Sequence, residues 1–311
     1  MTTETYDAAQ APVISETRHR RPVRRSAAHQ GRGARAFMVG ISLVYVLVLL
    51  LAPLAALLYY SLKPGLGTVL DTFKVPDARH AYFLTFEILV ITVVVTTLCG
   101  VMVALVLSRD RFRGKAFMSA VVNLPLAVSP VIVGLMAILL FGRNGWFEPF
   151  FAARGIQIVF ALPSMVLVTI FISIPFVIRE LVPVLEVGME EEQAAWTLGA
   201  SRLQTFFRVT LPNIKWGLMY GVALSSARAI GEVGAVLVVS GLIQGQTETA
   251  TLYILRLFDQ FKDEQGYVVA LTLALFSIVM LVGIEVLKRL SEYRRNRKGA
   301  KRWPEPSRSE S

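Results

Sequence analysis

Six long apolar runs, at about 37–61, 84–108, 116–141, 158–178, 214–240 and 268–288, constrain this chain more than any other feature. About 20 apolar residues at 1.5 Å rise cross the roughly 30 Å of bilayer hydrocarbon. Hydrocarbon offers no partner to backbone N–H and C=O groups, so only helices and closed barrels span it. Runs of this length suit helices, because barrel strands need only about 9–11 residues. The expectation is an all-α integral membrane protein with about six transmembrane helices. Composition agrees: 54% of the 311 residues are hydrophobic and 17% charged, against about 25% charged in a typical soluble domain.

The first run is too long for the 7–15-residue core of a secretory signal, and it follows a polar tail, so it reads as a retained span. Charge placement sets the orientation. With the N-terminus inside, seven Lys and Arg lie in the N-terminal tail, four between spans 2 and 3, four between spans 4 and 5, and nine in the C-terminal tail, which is 24 of the 32. Both termini and the segment between spans 4 and 5 are therefore expected in the cytoplasm. The net charge of +10 gathers beside apolar runs and points to membrane lipids, not nucleic acid. Residues 1–36 and 291–311 read as basic, disordered cytoplasmic tails around a membrane-spanning domain at 37–290. Arg294, Arg295, Arg297, Lys298, Lys301 and Arg302 are expected to meet anionic head groups.

Cys99 is the one cysteine, which excludes an intrachain disulfide and a CxxC metal site. His19, His29 and His80 are scattered outside the spans, so no metal role is expected. No catalytic residues are apparent. The phosphate-binding pattern G-x-x-x-x-G-K-[ST] is missing from the sequence, so the chain has no nucleotide site of that type.

Between spans 4 and 5, Glu190, Glu191 and Glu192 favour a helix start by complementing the positive end of its dipole. Gly199 suits a left-handed cap, Ser201 with Gln204 makes a capping box, and Leu203, Phe206 and Phe207 give the second helix an apolar stripe. Leu211-Pro212 is expected to end that helix. By pattern, the segment is either a helix resting on its own bundle or a knob that docks into another protein.

Span 5 carries Arg228 and Glu232 at i, i+4, hence on one helix face, among small residues such as Gly221, Ser225 and Ala229. Either the pair locks helix packing, or Arg228 lines an anion pathway with Glu232 orienting it. Span 3 contains Pro125 and Pro130, which free backbone groups that Asn123 and Ser129 are placed to satisfy. It is either a kinked packing helix or a gate.

The loop residues resemble the EAA loop of ABC importer permeases, whose pattern is E-A-A, three residues, Gly, nine residues, Ile-x-Leu-Pro. Here it reads Gln193-Ala194-Ala195, Gly199, then Val209-Thr210-Leu211-Pro212. Gln193 stands for the first Glu and Val209 for Ile, with Glu192 adjacent to supply the charge. The runs "LAVSPVIVGL", "SMVLVTIFISIPFVIRELVPV", "RVTLPNIKWGLMYGV" and "SARAIGEVGAVLVVSG" further resemble CysW-type permease subunits of bacterial sulfate/thiosulfate ABC importers.

That resemblance implies a type I importer (MetI-like) architecture, N-in and C-in, with a family core at about 80–288 and a coupling loop at 190–212. It implies a heterodimer with a CysT-type permease, two CysA-type ATPase subunits that use ATP and Mg, and a sulfate- or thiosulfate-binding protein. No cofactor is implied on this chain itself. Molybdate/tungstate permeases look similar. An ion-coupled secondary anion transporter is the reading from another class, although no internal repeat of the kind common in that class is visible.

Overall fold

The structure is a computed structural model that describes residues 32–110 and 112–300. Among them the order is α1 (Arg32–Leu62), α2 (Leu66–Lys74), α3 (Pro76–Arg109), α4 (Lys115–Ala127), α5 (Pro130–Phe141), α6 (Glu148–Ala152) and α7 (Leu162–Val187). There follow α8 (Met189–Thr197), α9 (Arg202–Thr205), a π turn (Phe206–Thr210), α10 (Leu211–Ile230), α11 (Gly234–Ser240), α12 (Ala250–Asp259) and α13 (Asp263–Ala300). The described residues contain no strand. Residues 1–31 and 301–311, which hold most of the tail expectations, lie outside the described residues.

The described residues fall into two units, one up to Pro53 and the other from Leu54 onward. In the first, the part of α1 from Phe37 to Pro53 exposes its apolar side chains on all sides. Pro53 lies inside the helix. The second unit is a helix bundle organised around α7, whose buried residues serve two cores. One joins Leu84 and Ile88 of α3, Val133 of α5, Val168 and Ile172 of α7 and Val236 of α11. The other joins Ala104 and Leu107 of α3, Leu181 and Leu185 of α7 and Ile214 of α10.

Among the described residues four helices are long and apolar enough to cross a membrane, and up to six spans result if each of two bent pairs is one span. The disturbance expected in the third span is a sharp turn, and the fifth span, expected to run through Arg228 and Glu232, is broken as well. The α4–α5 pair turns by 110° and the α10–α11 pair by 54°. In the first, the break falls at Val128-Ser129 because Pro130 disfavours a helical residue before it and serves instead as a first-turn residue of α5. Pro125 is tolerated inside the last turn of α4. Asn123 and Ser129 do not repair the break as expected. The Asn123 amide donates to Ser119 O in its own helix (2.7 Å), and Ser129 supplies its backbone carbonyl, not its hydroxyl, to Val133 N–H (3.1 Å).

The two bent pairs meet beside their breaks. A Cβ on Gly234, at the start of α11, would sit 3.2 Å from Pro130 Cβ, and one on Gly134 of α5 would sit 2.8 Å from both Ala235 O and Val238 Cβ. Without side chains at these positions the backbones of α5 and α11 approach closely, which is how helices associate where lipid removes the hydrophobic drive between them.

Two further boundaries differ from expectation. The helix begun at Arg202 does not stop at Leu211-Pro212 but continues through the π turn to Ile230. The wider π turn makes room for a proline ring that would clash with the carbonyl four residues earlier. Helix α13 runs to Ala300, so residues 291–300, read as tail, are helical, consistent with the good helix propensity of Arg and Lys.

Gly134→Ala is expected to destabilise the purified protein by about 1–3 kcal/mol, because its methyl would press on backbone that cannot swing aside. Gly283→Ala, inside α13 with open space around it, is expected to stabilise by up to about 1 kcal/mol. Thermal unfolding in detergent measures both.

Candidate coupling loop and charged break

The loop between α7 and α10 is built from short, well-terminated pieces. Helix α8 follows α7 after the single residue Gly188 and carries Glu190, Glu191 and Glu192 in its first turn. Its C-terminus ends at Gly199, which has φ +84°, a left-handed conformation that costs other residues roughly 1–2 kcal/mol. Ser201 then starts α9 with a complete capping box: its hydroxyl accepts from Gln204 N–H (3.3 Å), and Gln204 Oε1 accepts from Ser201 N–H (3.0 Å).

The loop presents an apolar surface. Gln193 and Ala194 are exposed, Ala195 is half-buried, and Leu198 and Leu203 are 88% and 71% exposed. Trp196 and Phe207 are exposed as well, whereas Phe206 of the expected stripe is half-buried. A cavity of about 720 Å³ opens between this loop and the end of α3, lined in part by Arg109, Trp196, Arg202 and Phe206.

Glu192 departs from its expected place on that surface. It is 3% exposed, and its Oε1 accepts hydrogen bonds from Arg109 Nη2, at the end of α3, and from Thr210 Oγ1 in the π turn (2.6 Å). Arg109 Nη2 also donates to Thr210 Oγ1 (3.1 Å). The acid is turned inward because a guanidinium and a hydroxyl meet it there, which makes a buried carboxylate tolerable. It is therefore not available as a free surface charge. Next to it, the Asn213 amide donates to Glu191 Oε2, tying α8 to α10. Sequence reasoning missed Arg109, Thr210 and Asn213 as loop anchors. Arg109 is 83 residues from Glu192, and no local spacing signals a pairing across that distance.

Arg228 and Glu232 do meet, with Nη1 2.7 Å from Oε2, but not along one helix face. Helix α10 ends at Ile230, and Glu232 sits in the break. There its other oxygen accepts from Ala235 N–H in the first turn of α11 (2.9 Å). Thr251 Oγ1 donates to its backbone carbonyl (3.0 Å). Glu232 thus holds the end of one half-helix and the beginning of the next. Its side chain is 2% exposed and that of Arg228 30%, so one end of the pair is sealed in protein and the other is open.

A second ion-pair cluster sits at the opposite end of α3. Arg256 of α12 donates through Nε and Nη2 to the two oxygens of Glu248 (2.7 and 2.8 Å) and through Nη2 to Asp77 (3.1 Å). Burial acts to lower the Arg256 pKa, but Glu248 and Asp77 more than offset it and raise it above its ordinary value. Among the described residues no group of three or more His, Cys, Asp or Glu could hold a metal ion.

Residues 96–295, which include the loop, both charged residues of the break and most of the bundle, match the model of the family described as "Binding-protein-dependent transport system inner membrane component". The chain belongs to this family. It is a multi-pass inner-membrane permease component, in keeping with its membrane-spanning helices. This permease is 43% identical to the "Sulfate transport system permease protein CysW" of Synechocystis sp., over 81% of the chain and 92% of that protein. It is 35% identical to the CysT permease protein of the same organism, over 80% of the chain and 87% of that protein. In structure it is similar to a bacterial ABC transporter involved in import of the acidic polysaccharide alginate, with TM-score 0.67 and 17% identity, over 82% of the chain and 96% of the other. That likeness shows the all-α importer permease fold.

Ser201→Ala removes the capping hydroxyl and is expected to cost α9 about 1 kcal/mol. Hydrogen exchange at the Gln204 amide should accelerate roughly fivefold.

Proposed function

We propose that this chain is the CysW-type permease subunit of an ATP-driven importer that carries sulfate, and thiosulfate as a second substrate, across the cytoplasmic membrane. The observation that carries this reading is 43% identity to a CysW sulfate permease over 92% of that protein's length. The lower identity to CysT of the same organism favours the CysW position in a heterodimer with a CysT-type partner.

In this reading two CysA-type ATPase subunits bind and hydrolyse ATP with Mg, and a sulfate- or thiosulfate-binding protein delivers the anion from outside. Both termini and the loop lie in the cytoplasm, supported by the excess of Lys and Arg there. The loop docks in the ATPase through Gln193, Ala194, Ala195, Trp196, Leu198 and Leu203. Their exposure on a capped, rigid turn supports this role, since an apolar surface on a polar face marks an interaction site. Gly199, Ser201, Leu211 and Pro212 set its shape.

Arg228 and Glu232 serve the pathway. A doubly charged oxyanion is costly to dehydrate, and a guanidinium that stays charged offers compensating positive potential. Glu232 is sealed and fixes the orientation of Arg228, whose partly open side faces the passage. The α4–α5 break at Ser129-Pro130, packed against α11, forms the moving part of the gate, with Asn123 and Pro125 in the helix leading to it.

Co-purification with the ATPase and second permease, followed by labelled sulfate uptake in reconstituted vesicles, tests the function. Uptake without the ATPase, or no uptake with all partners present, would refute it. Gly199→Asp is expected to insert normally but to abolish uptake and ATPase co-purification. Arg228→Ala is expected to reduce uptake at least tenfold but also to destabilise the permease, since it leaves the sealed Glu232 unpaired. Arg228→Lys, which keeps the charge, is expected to reduce uptake while thermal unfolding of the purified permease shifts by only a few degrees.

A further inference from the structure

We propose that Arg109, Glu192 and Thr210 form a mechanical latch that binds the loop to α3, so that a displacement of α8 moves α3 together with α7 and α10. The proposal deepens the reading of the loop as an ATPase-driven lever and rests on it for the transport test below.

The chain itself holds α8 only weakly. The helix has nine residues, with Gly188 before it and Gly199 shortly after it. Glycine resists backbone rotation least, so a helix between two such joints can pivot. Apart from the Asn213–Glu191 hydrogen bond, which reaches α10 alone, a tie to α3 is needed if a push at its exposed face is to move the whole bundle.

The structure supplies a closed ring of polar contacts on the hidden face of α8. Glu192 Oε1 is shared by Arg109 and Thr210, and Arg109 also reaches Thr210. The three residues belong to three elements: the last residue of α3, the first turn of α8, and the π turn that leads into α10. Apolar packing is non-directional and yields to sliding, whereas hydrogen bonds weaken steeply when their angles change. A buried ion pair with a shared hydroxyl therefore resists shear at this joint. The guanidinium fork is what allows one residue to address the carboxylate and the hydroxyl together.

The π turn belongs to the same device. Its extra residue rotates what precedes it relative to α10 by about 100°, the turn per residue of a helix. Thr210, next to α10, meets Glu192, while the rotation applies to the preceding Leu203 and Phe207, which remain exposed. Irregular turns of this kind recur at functional sites. Helix α3 is suited to carry the motion, since at the far end of its 34 residues Asp77 pairs with Arg256, which Glu248 holds in turn.

The test uses the full complex in vesicles and the variants Glu192→Gln, Arg109→Lys and Thr210→Val, with the exposed Glu190→Gln as control. The ATPase should co-purify with every variant and ATP hydrolysis should continue. Sulfate imported per ATP should fall at least tenfold in Glu192→Gln and Arg109→Lys, and by a smaller factor in Thr210→Val, which keeps both charges and carries the test if a charge variant fails to accumulate. The double variant Arg109→Lys/Glu192→Gln should be no worse than either single one. Unchanged import per ATP, or loss of ATPase co-purification, would overturn the latch.

A second measurement needs no ATPase. A nitroxide at position 193, in a Cys99→Ala background, should become more mobile in Arg109→Lys and in Thr210→Val, and unchanged mobility would also overturn the latch. If the unmodified permease fails to bind the ATPase, the docking reading falls, and the nitroxide result still decides whether α8 is latched to α3.

Discussion

Hydrocarbon cannot hydrogen-bond to a peptide group, and this constraint organises the whole structure. It makes the spans helical, and it makes every interruption of a helix a place where other atoms must replace the missing contacts. At the fifth span the replacement is visible. Glu232 gives one oxygen to Arg228 of α10 and the other to the first turn of α11, and Thr251 caps its carbonyl. At the third span the replacement is geometric, with Pro130 removing a donor where α5 begins. The two interruptions are neighbours because glycines at 134 and 234 let α5 and α11 approach at backbone distance. Charge, break and close packing are three aspects of one local solution.

The other end of the bundle obeys a different rule, because water is available there. The loop can expose Trp196, Leu198 and Leu203 while turning Glu192 inward. This inverts the usual arrangement of apolar inside and charged outside. Inversion of that kind fits the proposed docking of this surface in a partner, with anchors behind it. The side-chain anchors reach α3 through Arg109 and α10 through Asn213. Helix α3 then connects two ion-pair clusters, one at Arg109 and one at Asp77 with Arg256. A long helix fixed at both ends moves as a body, as rigid-body switching requires.

What the sequence by itself determined is whatever depends on local pattern. Long apolar runs require helices in lipid, so the all-α class and the places of the spans were legible, as were the left-handed turn at Gly199 and the capping box at Ser201–Gln204. The family pattern around the Ala194-Ala195 pair, Gly199 and Leu211-Pro212 was legible too, because it is a matter of spacing. Only the tertiary structure decided what depends on direction and on distant partners. Prolines announced a disturbance in the third span, but whether it is a kink or a 110° turn depends on α11 packing against α5. The i, i+4 spacing of Arg228 and Glu232 announced a pair, yet the helix ends between them. Glu192 read as a surface acid, and it is buried because Arg109 and Thr210, 83 and 18 residues away, converge on it. Periodicity encodes which face of a helix is apolar, whereas the partner of a polar side chain is set by the folded chain, where electrostatics can reward a contact that no local spacing foretells.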